Sequence, residues 1–222
     1  MNGIGLFGGT FNPLHTGHLK VAEEVKAAFN LEKIYFIPSA IPPHKGRDDL
    51  ADAKDRFQMI MDAMPPGKGF MASDVEIHRQ GPSYTIDTVR YFKNNLPVST
   101  PCFLIVGMDA FLEIDTWKSF QKLLDLIPLI VMTRPAQDTK QSVTPSAELK
   151  QYIHSHVDSR YEFIEPTSSF VHPEKQPVFL SHVTPVDLSS TKIRNCIRRK
   201  VSIKGMVPGT VEKYIHEKGL YL

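Results

Sequence analysis

The sequence lacks the features that mark several common classes of protein. It has only two cysteines, Cys102 and Cys196, which lie far apart and form no CxxC or Cys/His spacing. A structural zinc site is therefore not expected, and we predict two small apolar core residues in a reducing compartment. The N-terminus has no basic region followed by an apolar stretch, so no signal peptide is predicted. The most apolar segment, residues 126–132, is too short to span a bilayer and contains Pro128.

An excess of one charge is also missing. The chain has 26 lysines and arginines against 24 aspartates and glutamates, which gives a formal net charge of +2 over 222 residues. A protein that binds mainly the nucleic-acid backbone needs a clear basic excess, so we expect neither a nucleic-acid partner nor, without an apolar span, a membrane partner. With 41% hydrophobic residues, the composition predicts a cytoplasmic globular protein. The oligomeric state stays open, and a homo-oligomer is included among the alternatives.

Short apolar runs alternate with helical patterns along most of the chain. The predicted strands are 4–7, 33–37, 70–78, 102–106, 128–132 and 178–183. The predicted helices are 17–29, 52–64, 85–94, 119–126, 146–157, 190–200 and 208–218. This order predicts an α/β fold with a doubly wound, mostly parallel, Rossmann-like sheet. Such sheets bind ligands outside the carboxyl ends of their strands, so residues that follow strands are the first candidates for a site.

We predict a single domain over residues 1–222, with two additions to the sheet. Residues 135–175 are rich in Gln, Ser, Thr and Pro, and we interpret them as a peripheral insertion with one helix capped by Ser146. The tail from about residue 190 predicts a small C-terminal helical part, which Gly219 closes. The apolar face predicted for the helix at 52–64 consists of Phe57, Ile60, Met61 and Met64.

The densest cluster of chemically useful residues follows the first strand. Residues 8–18 read GGTFNPLHTGH, and a helical pattern opens near Gly17. Glycines let a ligand approach the backbone closely, and a helix opening presents free N–H groups to an anion. His15 and His18 lie three residues apart at this opening, so both rings can face one phosphate and stabilise charge in a transition state. The segment matches neither GxGxxG nor GxxxxGK[ST], so a dehydrogenase or a P-loop enzyme is not the first choice.

Two further polar segments have a structural as well as a functional interpretation. Residues 42–45 read PPHK, in which Lys45 is either an exposed loop lysine or a mobile charge on a stiff loop. Residues 83–85 read SYT before a predicted helix, where Thr85 is an N-cap, a ligand for a carboxylate, or both.

Two more segments lie later in the chain. Gly107 and Asp109 follow a buried strand, and Asp109 is either a helix cap or a ligand. Trp117, the only tryptophan, is either a core anchor or a platform on which an aromatic ring stacks. Residues 189–194 read SSTKIR at a helix opening, where hydroxyls, N–H groups and a guanidinium together would bind phosphate. The alternative there is an N-cap followed by a solvated basic face.

In combination these segments resemble the HxGH nucleotidyltransferases. Residues 8–18 are similar to the form found in bacterial nicotinate-nucleotide adenylyltransferases, and the PPHK, SYT, Gly-x-Asp…Trp, Arg-Pro (134–135) and SSTKIR elements agree with that family. Asn12 stands where many members carry Asp, so a carboxylate role at this position is not carried over. The resemblance implies transfer of AMP from ATP to nicotinate mononucleotide in NAD biosynthesis. It also implies that Mg²⁺ accompanies ATP and is held mainly by phosphates and water.

The resemblance assigns residues to three roles and assigns none to a metal. The catalytic residues are His15, His18, Lys45 and Arg194. The ATP-binding residues are Gly8, Gly9, Thr10, Phe11, His18, Gly107, Asp109, Ser190, Thr191 and Arg194. The residues that bind the acceptor substrate are Asn12, His44, Tyr84, Thr85, Trp117 and Arg134.

Two alternatives remain at this point. The first is another HxGH transferase, with nicotinamide mononucleotide or phosphopantetheine as the acceptor. The second is a nucleotide sensor without catalytic activity, against which the presence of both histidines, Lys45 and Arg194 argues. An RNA-acting relative is disfavoured by the nearly balanced charge of the chain.

Overall fold

The structure is a computed structural model that describes residues 3–42, 49–133 and 144–222. Its strands within these ranges are β1 Gly3–Gly9, β2 Leu31–Pro38, β3 Phe70–Ala72, β4 Cys102–Gly107, β5 Leu129–Thr133, β6 Glu162–Ile164, β7 Ser169–Val171 and β8 Val178–His182. The helices are α1 Thr16–Ala28, α2 Ala53–Ala63, α3 Thr85–Asn95, α4 Met108–Phe111, α5 Phe120–Leu126, α6 Pro145–Tyr152, α7 Ser190–Arg198 and α8 Gly209–Lys218.

The strands form one sheet in the order β3-β2-β1-β4-β5-β8-β7-β6. All pairs from β3 to β8 are parallel, and β7 and β6 continue the sheet in antiparallel pairing. The prediction of a doubly wound, mostly parallel α/β sheet is therefore confirmed. The chain runs outward from β1 to β3 on one side and returns to place β4 on the other side of β1. This reversal opens a crevice at the carboxyl ends of β1 and β4, where folds of this kind bind ligands.

Each face of the sheet carries its own apolar core, because successive strand residues point to opposite faces. In β1, Leu6 belongs to one core and Phe7 to the other. Helices α3, α5 and α6 pack on the Leu6 side, and helices α1, α2, α7 and α8 pack on the Phe7 side. The C-terminal helices thus share a core with the first helix of the chain, which follows β1.

Three local predictions are wrong. The strand predicted at 70–78 ends at Ala72, and turns follow it. The helix predicted to be capped by Ser146 has Thr144 as its N-cap, whose hydroxyl accepts a hydrogen bond from the Ala147 N–H at 3.3 Å. The helix can begin before Ser146 because Pro145 suits its first position, and at its other end it passes into a π-helical turn, Ile153–Val157.

The third error concerns the buried face of α2. Met61 is 50% exposed, whereas Arg56, which the pattern places among polar positions, is fully buried. The buried face consists of Arg56, Met59, Ile60 and Ala63. An apolar periodicity cannot predict a buried arginine, since burial of this side chain depends on hydrogen-bond partners from distant segments.

The segment predicted as a peripheral insertion contributes to the sheet where it is described. It supplies β6 and β7 at one edge, and it places Tyr161 and Phe170 in the apolar core. The division of residues 1–222 into one domain with additions stays a prediction.

The two cysteines are free thiols in different surroundings. Cys102 is buried at the start of β4, and burial raises the pKa of its thiol to about 11, so the thiol is protonated at neutral pH. Cys196 is half-buried on α7. None of the helices in the described ranges combines the length and the apolar composition that a membrane span requires.

Candidate active site

A cavity of about 900 Å³ lies at the carboxyl ends of the central strands. Gly9 at the end of β1, Gly107 at the end of β4 and Val183 just after β8 contribute to its wall. The starts of α1 and α7 also line it, through His15 and His18 on one side and residues 190–191 on the other. Two helix N-termini therefore open onto the same space. Their free N–H groups and dipoles favour an anion there.

The histidine turn, residues 9–18, begins at the end of β1 and enters α1. Its two imidazole rings are stacked, with centroids 3.6 Å apart and ring planes at 23°. His15 is the N-cap of α1, and its backbone N–H donates a hydrogen bond to His18 Nδ1 at 3.2 Å. Because Nδ1 of His18 is an acceptor, the neutral ring carries its proton on Nε2. His18 thus has a fixed tautomer with an N–H donor in a ring that lines the cavity.

At two positions of the histidine turn, glycine leaves room for a neighbouring ring. A Cβ atom on Gly17 would lie 3.0 Å from His15 Nδ1, and a Cβ on Gly9 would lie 2.9 Å from the ring of Phe11. Phe11 in turn packs edge-on against His18, with ring centroids 5.1 Å apart. The glycines therefore let the Phe11, His15 and His18 rings pack closely, which restricts the imidazoles to one arrangement.

The start of α7 is joined to the histidine turn by hydrogen bonds to its backbone. Ser190 Oγ donates to the Pro13 carbonyl at 2.9 Å, and Arg194 Nη1 donates to the Asn12 carbonyl at 2.9 Å. Ser189 caps the helix by accepting from the Lys192 N–H at 3.1 Å. Since the Ser190 hydroxyl proton is used inside the protein, this residue offers a ligand its backbone N–H.

Arg194 retains a donor for a ligand. Its Nη2 donates to Thr191 Oγ1 at 3.4 Å, which leaves the Thr191 hydroxyl proton free to donate elsewhere. Its Nε is buried and has no hydrogen-bond partner among the described residues. A buried donor without a partner is costly, which makes the Arg194 guanidinium, in the cavity wall, a candidate to donate to a ligand next to α7.

A second polar group, the Tyr84–Lys118 corner, consists of Tyr84, Asp87, Trp117 and Lys118. Lys118 Nζ lies 4.3 Å from the centroid of the Tyr84 ring and 3.1 Å from Asp87 Oδ2. Lys118 thereby connects the SYT segment with the segment that contains Trp117. Its ion-pair partner Asp87 lies 31 positions earlier in the sequence. Trp117 packs partly buried against the core on the Leu6 side of the sheet.

Comparisons with known proteins agree with this geometry. The family model described as "Cytidylyltransferase-like" matches residues 6–196. The probable nicotinate-nucleotide adenylyltransferase of Desulfatibacillum aliphaticivorans is 38% identical to this chain, and the alignment covers 99% of both. The corresponding protein of Trichlorobacter lovleyi is 35% identical over 98% of both chains.

The chain belongs to the nicotinate-nucleotide adenylyltransferase family. The family resemblance inferred from the sequence motifs is thereby confirmed. Among solved structures, Plasmodium falciparum nicotinic acid mononucleotide adenylyltransferase complexed with NaAD matches with a TM-score of 0.70. At 18% identity, with 100% of this chain and 98% of that chain covered, this match supports the fold.

The cavity gathers most of the residues that the family resemblance assigns to ATP and catalysis. Gly8 is exposed at the end of β1 and is not part of the wall. Asn12, assigned to the acceptor, lies in the wall, although its side chain is engaged by other protein groups. The predicted residues that line the cavity are Gly9, Thr10, Phe11, Asn12, His15, His18, Gly107, Asp109, Ser190, Thr191 and Arg194.

Other assigned residues lie elsewhere. Tyr84 and Trp117 belong to the Tyr84–Lys118 corner, together with Asp87 and Lys118. Neither Tyr84 nor Trp117 lines the cavity. Helix α3 begins at Thr85 with Tyr84 as its N-cap, so the interpretation of Thr85 as an N-cap is wrong. His44, Lys45 and Arg134 lie outside the described residues.

Two residues that contact the histidine turn are not predicted from the sequence. Arg56 donates to the Thr10 carbonyl at 2.8 Å, and the Tyr221 hydroxyl donates to Asn12 Oδ1 at 2.8 Å. Neither belongs to a motif of the family resemblance. The sequence offers one signal for Arg56: this residue falls at the helical spacing of the buried α2 residues Met59, Ile60 and Ala63.

The residues present suit a metal that arrives with its nucleotide. Within residues 3–42, 49–133 and 144–222, no three His, Cys, Asp or Glu side chains come together in an arrangement that would hold a metal ion. Asp109 is an exposed carboxylate in the cavity wall. Mg²⁺ commonly retains several waters and binds through substrate phosphates with one or two carboxylates.

Proposed function

We propose that this protein transfers the AMP part of MgATP to nicotinate mononucleotide, forming nicotinate adenine dinucleotide and pyrophosphate for NAD biosynthesis. The observation that carries the proposal is the stacked His15–His18 pair at the start of α1, which shares one cavity with the start of α7. Membership of the nicotinate-nucleotide adenylyltransferase family supports the choice of acceptor. We further propose that the protein acts in the cytoplasm on small molecules, without a nucleic-acid or membrane partner.

The reaction proceeds by one in-line displacement. A 5′-phosphate oxygen of nicotinate mononucleotide attacks the α-phosphorus of ATP, and the bond from that phosphorus to the bridging oxygen of pyrophosphate breaks. The attacking phosphate is already an anion, so no general base has to remove a proton from it. Catalysis then consists of positioning and of stabilising charge on the phosphates in the transition state.

The phosphate-binding roles follow from the donors that line the cavity. His18 donates from Nε2 and His15 lies stacked against it, so we assign both to the α-phosphate. The Arg194 guanidinium, the Thr191 hydroxyl and the backbone N–H of Ser190 are assigned to the leaving pyrophosphate. Mg²⁺ enters as part of the ATP substrate and neutralises phosphate charge. We assign Gly9, Gly107 and Asp109 to the nucleoside side of ATP.

The acceptor binds, in this proposal, on the side of the cavity that faces the Tyr84–Lys118 corner. Trp117 offers its ring to the pyridine, and the N-terminus of α3 at Tyr84 and Thr85 suits the nicotinate carboxylate. The family resemblance adds Lys45 for the pyrophosphate, and His44 and Arg134 for the acceptor.

Release of pyrophosphate from MgATP tests the function directly. The assay compares nicotinate mononucleotide, nicotinamide mononucleotide and phosphopantetheine as acceptors. We expect a strong preference for the nicotinate compound. Preference for either of the other acceptors would retain phosphate chemistry at the histidine turn but contradict the assigned acceptor, and absence of release with all three would favour a nucleotide sensor.

A further inference from the structure

A fully buried arginine joins the histidine turn to two other segments. Arg56 on α2 has no exposed surface. Its Nη1 donates to the Thr10 carbonyl at 2.8 Å, its Nε to the Ala51 carbonyl at 2.9 Å, and its Nη2 to the Ala40 carbonyl at 3.3 Å. Ala40 follows β2 and Ala51 precedes α2, so three separate pieces of backbone converge on one guanidinium.

Burying a charged guanidinium costs more folding free energy than burying an apolar side chain of similar size would. Burial lowers the pKa of Arg56 from its ordinary value, while the carboxylates of Asp52 and Glu76 act in the opposite direction. A guanidinium nevertheless keeps its charge in proteins, so Arg56 is a buried cation at neutral pH. Replacing buried charges by well-packed apolar groups often stabilises a protein. Stability alone therefore does not account for an arginine here.

Asn12 extends the network from the opposite side. Its Nδ2 donates to the Asp49 carbonyl at 2.7 Å, and its Oδ1 accepts from the Ala51 N–H at 3.0 Å and from the Tyr221 hydroxyl at 2.8 Å. Burial raises the pKa of Tyr221 well above its usual range, so its hydroxyl stays a donor at neutral pH. Because one side chain donates to a carbonyl and also accepts from an N–H and a hydroxyl, the amide of Asn12 suits this position better than a carboxylate.

The network is connected to the groups that face the cavity. Thr10, held by Arg56, is followed by Phe11, whose ring packs edge-on against His18. Asn12 comes next, and its carbonyl accepts from Arg194 Nη1. A shift of the Thr10 carbonyl would therefore move the surface on which His18 rests and the anchor of Arg194.

We propose that Arg56 is a positioning residue for adenylyl transfer, which acts by fixing the histidine turn through Thr10 and which Asn12 and Tyr221 assist. This inference rests on the proposed function. The same guanidinium holds Ala40 and Ala51, the residues on either side of 41–50, a range that includes the predicted Lys45. Arg56 does not line the cavity, so its effect on the reaction is indirect.

The test compares Arg56→Lys with Arg160→Lys. A lysine keeps the charge, but its compact ammonium cannot reach the three carbonyls in the geometry of a guanidinium. We expect kcat of Arg56→Lys to fall roughly 10- to 100-fold, since displacement by about 1 Å at a reacting centre has effects of this size. We expect KM for ATP to change much less. Arg160, which pairs with Asp158 and Glu174 outside the cavity wall, provides the control and should leave both constants unchanged.

The second readout is the imidazole ¹⁵N spectrum of His18 in the ligand-free protein. The wild type should show the Nε2–H tautomer, whereas in Arg56→Lys the ring signals should shift toward a mixture of tautomers as the histidine turn moves. A folded Arg56→Lys protein with wild-type kcat or with wild-type His18 signals overturns the inference.

If Arg56→Lys does not fold, a variant that disturbs the structure less tests the same inference. Tyr221→Phe removes only the hydroxyl that donates to Asn12, and loss of a hydrogen bond of about 1 kcal/mol predicts a decrease in kcat of about fivefold. Unchanged kcat together with unchanged His18 signals in Tyr221→Phe would overturn the inference. Wild-type protein that releases no pyrophosphate with any acceptor would refute the proposed function instead, while the His18 spectra would still report whether Arg56 positions the turn.

Discussion

The histidine turn and the Tyr84–Lys118 corner are held in different ways. In the histidine turn, close packing of rings against glycines and hydrogen bonds to backbone carbonyls fix the side chains, and His15, Phe11 and Asn12 are buried. In the corner, partly exposed side chains hold one another: the Lys118–Asp87 ion pair has side chains that are 47% and 28% exposed.

In the proposed function, this difference corresponds to two tasks of one reaction. A transition state requires donors in a fixed place before the substrate arrives, because moving them during the reaction reduces the gain. Recognition of an acceptor tolerates adjustment, so contacts between partly exposed side chains suffice. We therefore expect substitutions in the histidine turn to lower kcat and substitutions in the Tyr84–Lys118 corner to raise KM for the acceptor.

The largest effect is expected from His18→Ala. The substitution removes the Nε2–H donor assigned to the α-phosphate, and loss of one such donor lowers kcat on the order of a hundredfold or more. KM for ATP should change little, because the donor acts mainly on the transition state. Steady-state kinetics with MgATP and nicotinate mononucleotide provide the measurement. His78, an exposed histidine paired with Asp74, gives the control His78→Ala; near wild-type turnover in His18→Ala would contradict the assignment.

A smaller effect is expected from Trp117→Ala. Loss of an aromatic stacking contact of about 0.5–1.5 kcal/mol predicts an increase of up to about tenfold in KM for the acceptor. Since Trp117 is placed on the acceptor side, kcat and KM for ATP should stay near the wild-type values. Trp117→Phe keeps an aromatic face and should show a weaker effect. If Trp117→Ala lowered kcat as strongly as His18→Ala does, the separation of the two regions would be wrong.

The smallest effect is expected from Lys118→Met. Lys118 contributes a positive charge to the corner, and one exposed charge contact with the acceptor of about 0.5–1 kcal/mol predicts a two- to fivefold increase in KM for nicotinate mononucleotide. The effect should diminish at high salt and should be weaker for nicotinamide mononucleotide, in which an uncharged amide replaces the carboxylate. Lys122 on α5 is exposed and provides the control Lys122→Met. Equal effects on the nicotinate and nicotinamide compounds would show that the charge of Lys118 does not help to distinguish the two acceptors.

The same contrast explains what the sequence could predict. The histidine turn is contiguous, so His15 and His18 meet through the geometry of a single turn and helix opening, and pattern analysis identifies them. The start of α7 also has a local signature in its serines and threonine. Buried strands such as β4 are evident from their apolar runs.

Other features depend on tertiary structure. The hydrogen bond between Asn12 and Tyr221 joins residues 209 positions apart, so no local sequence pattern predicts it. The burial of Arg56 is an exception to the rule that arginines lie at the surface. Sequence patterns do not predict this exception, because the carbonyls of Thr10, Ala40 and Ala51 surround the guanidinium only in the folded chain. The contact between Tyr84 and Lys118 likewise depends on how α3 packs beside the tryptophan segment.

The central claim is that the protein positions its two substrates for one direct displacement at the α-phosphorus, without a covalent intermediate. The most direct test is the stereochemical course with ATP that carries sulfur at a single configuration of the α-phosphorus. One displacement predicts nicotinate adenine dinucleotide with inverted configuration at that phosphorus. Retention of configuration would indicate two displacements through an adenylylated side chain and would contradict the account.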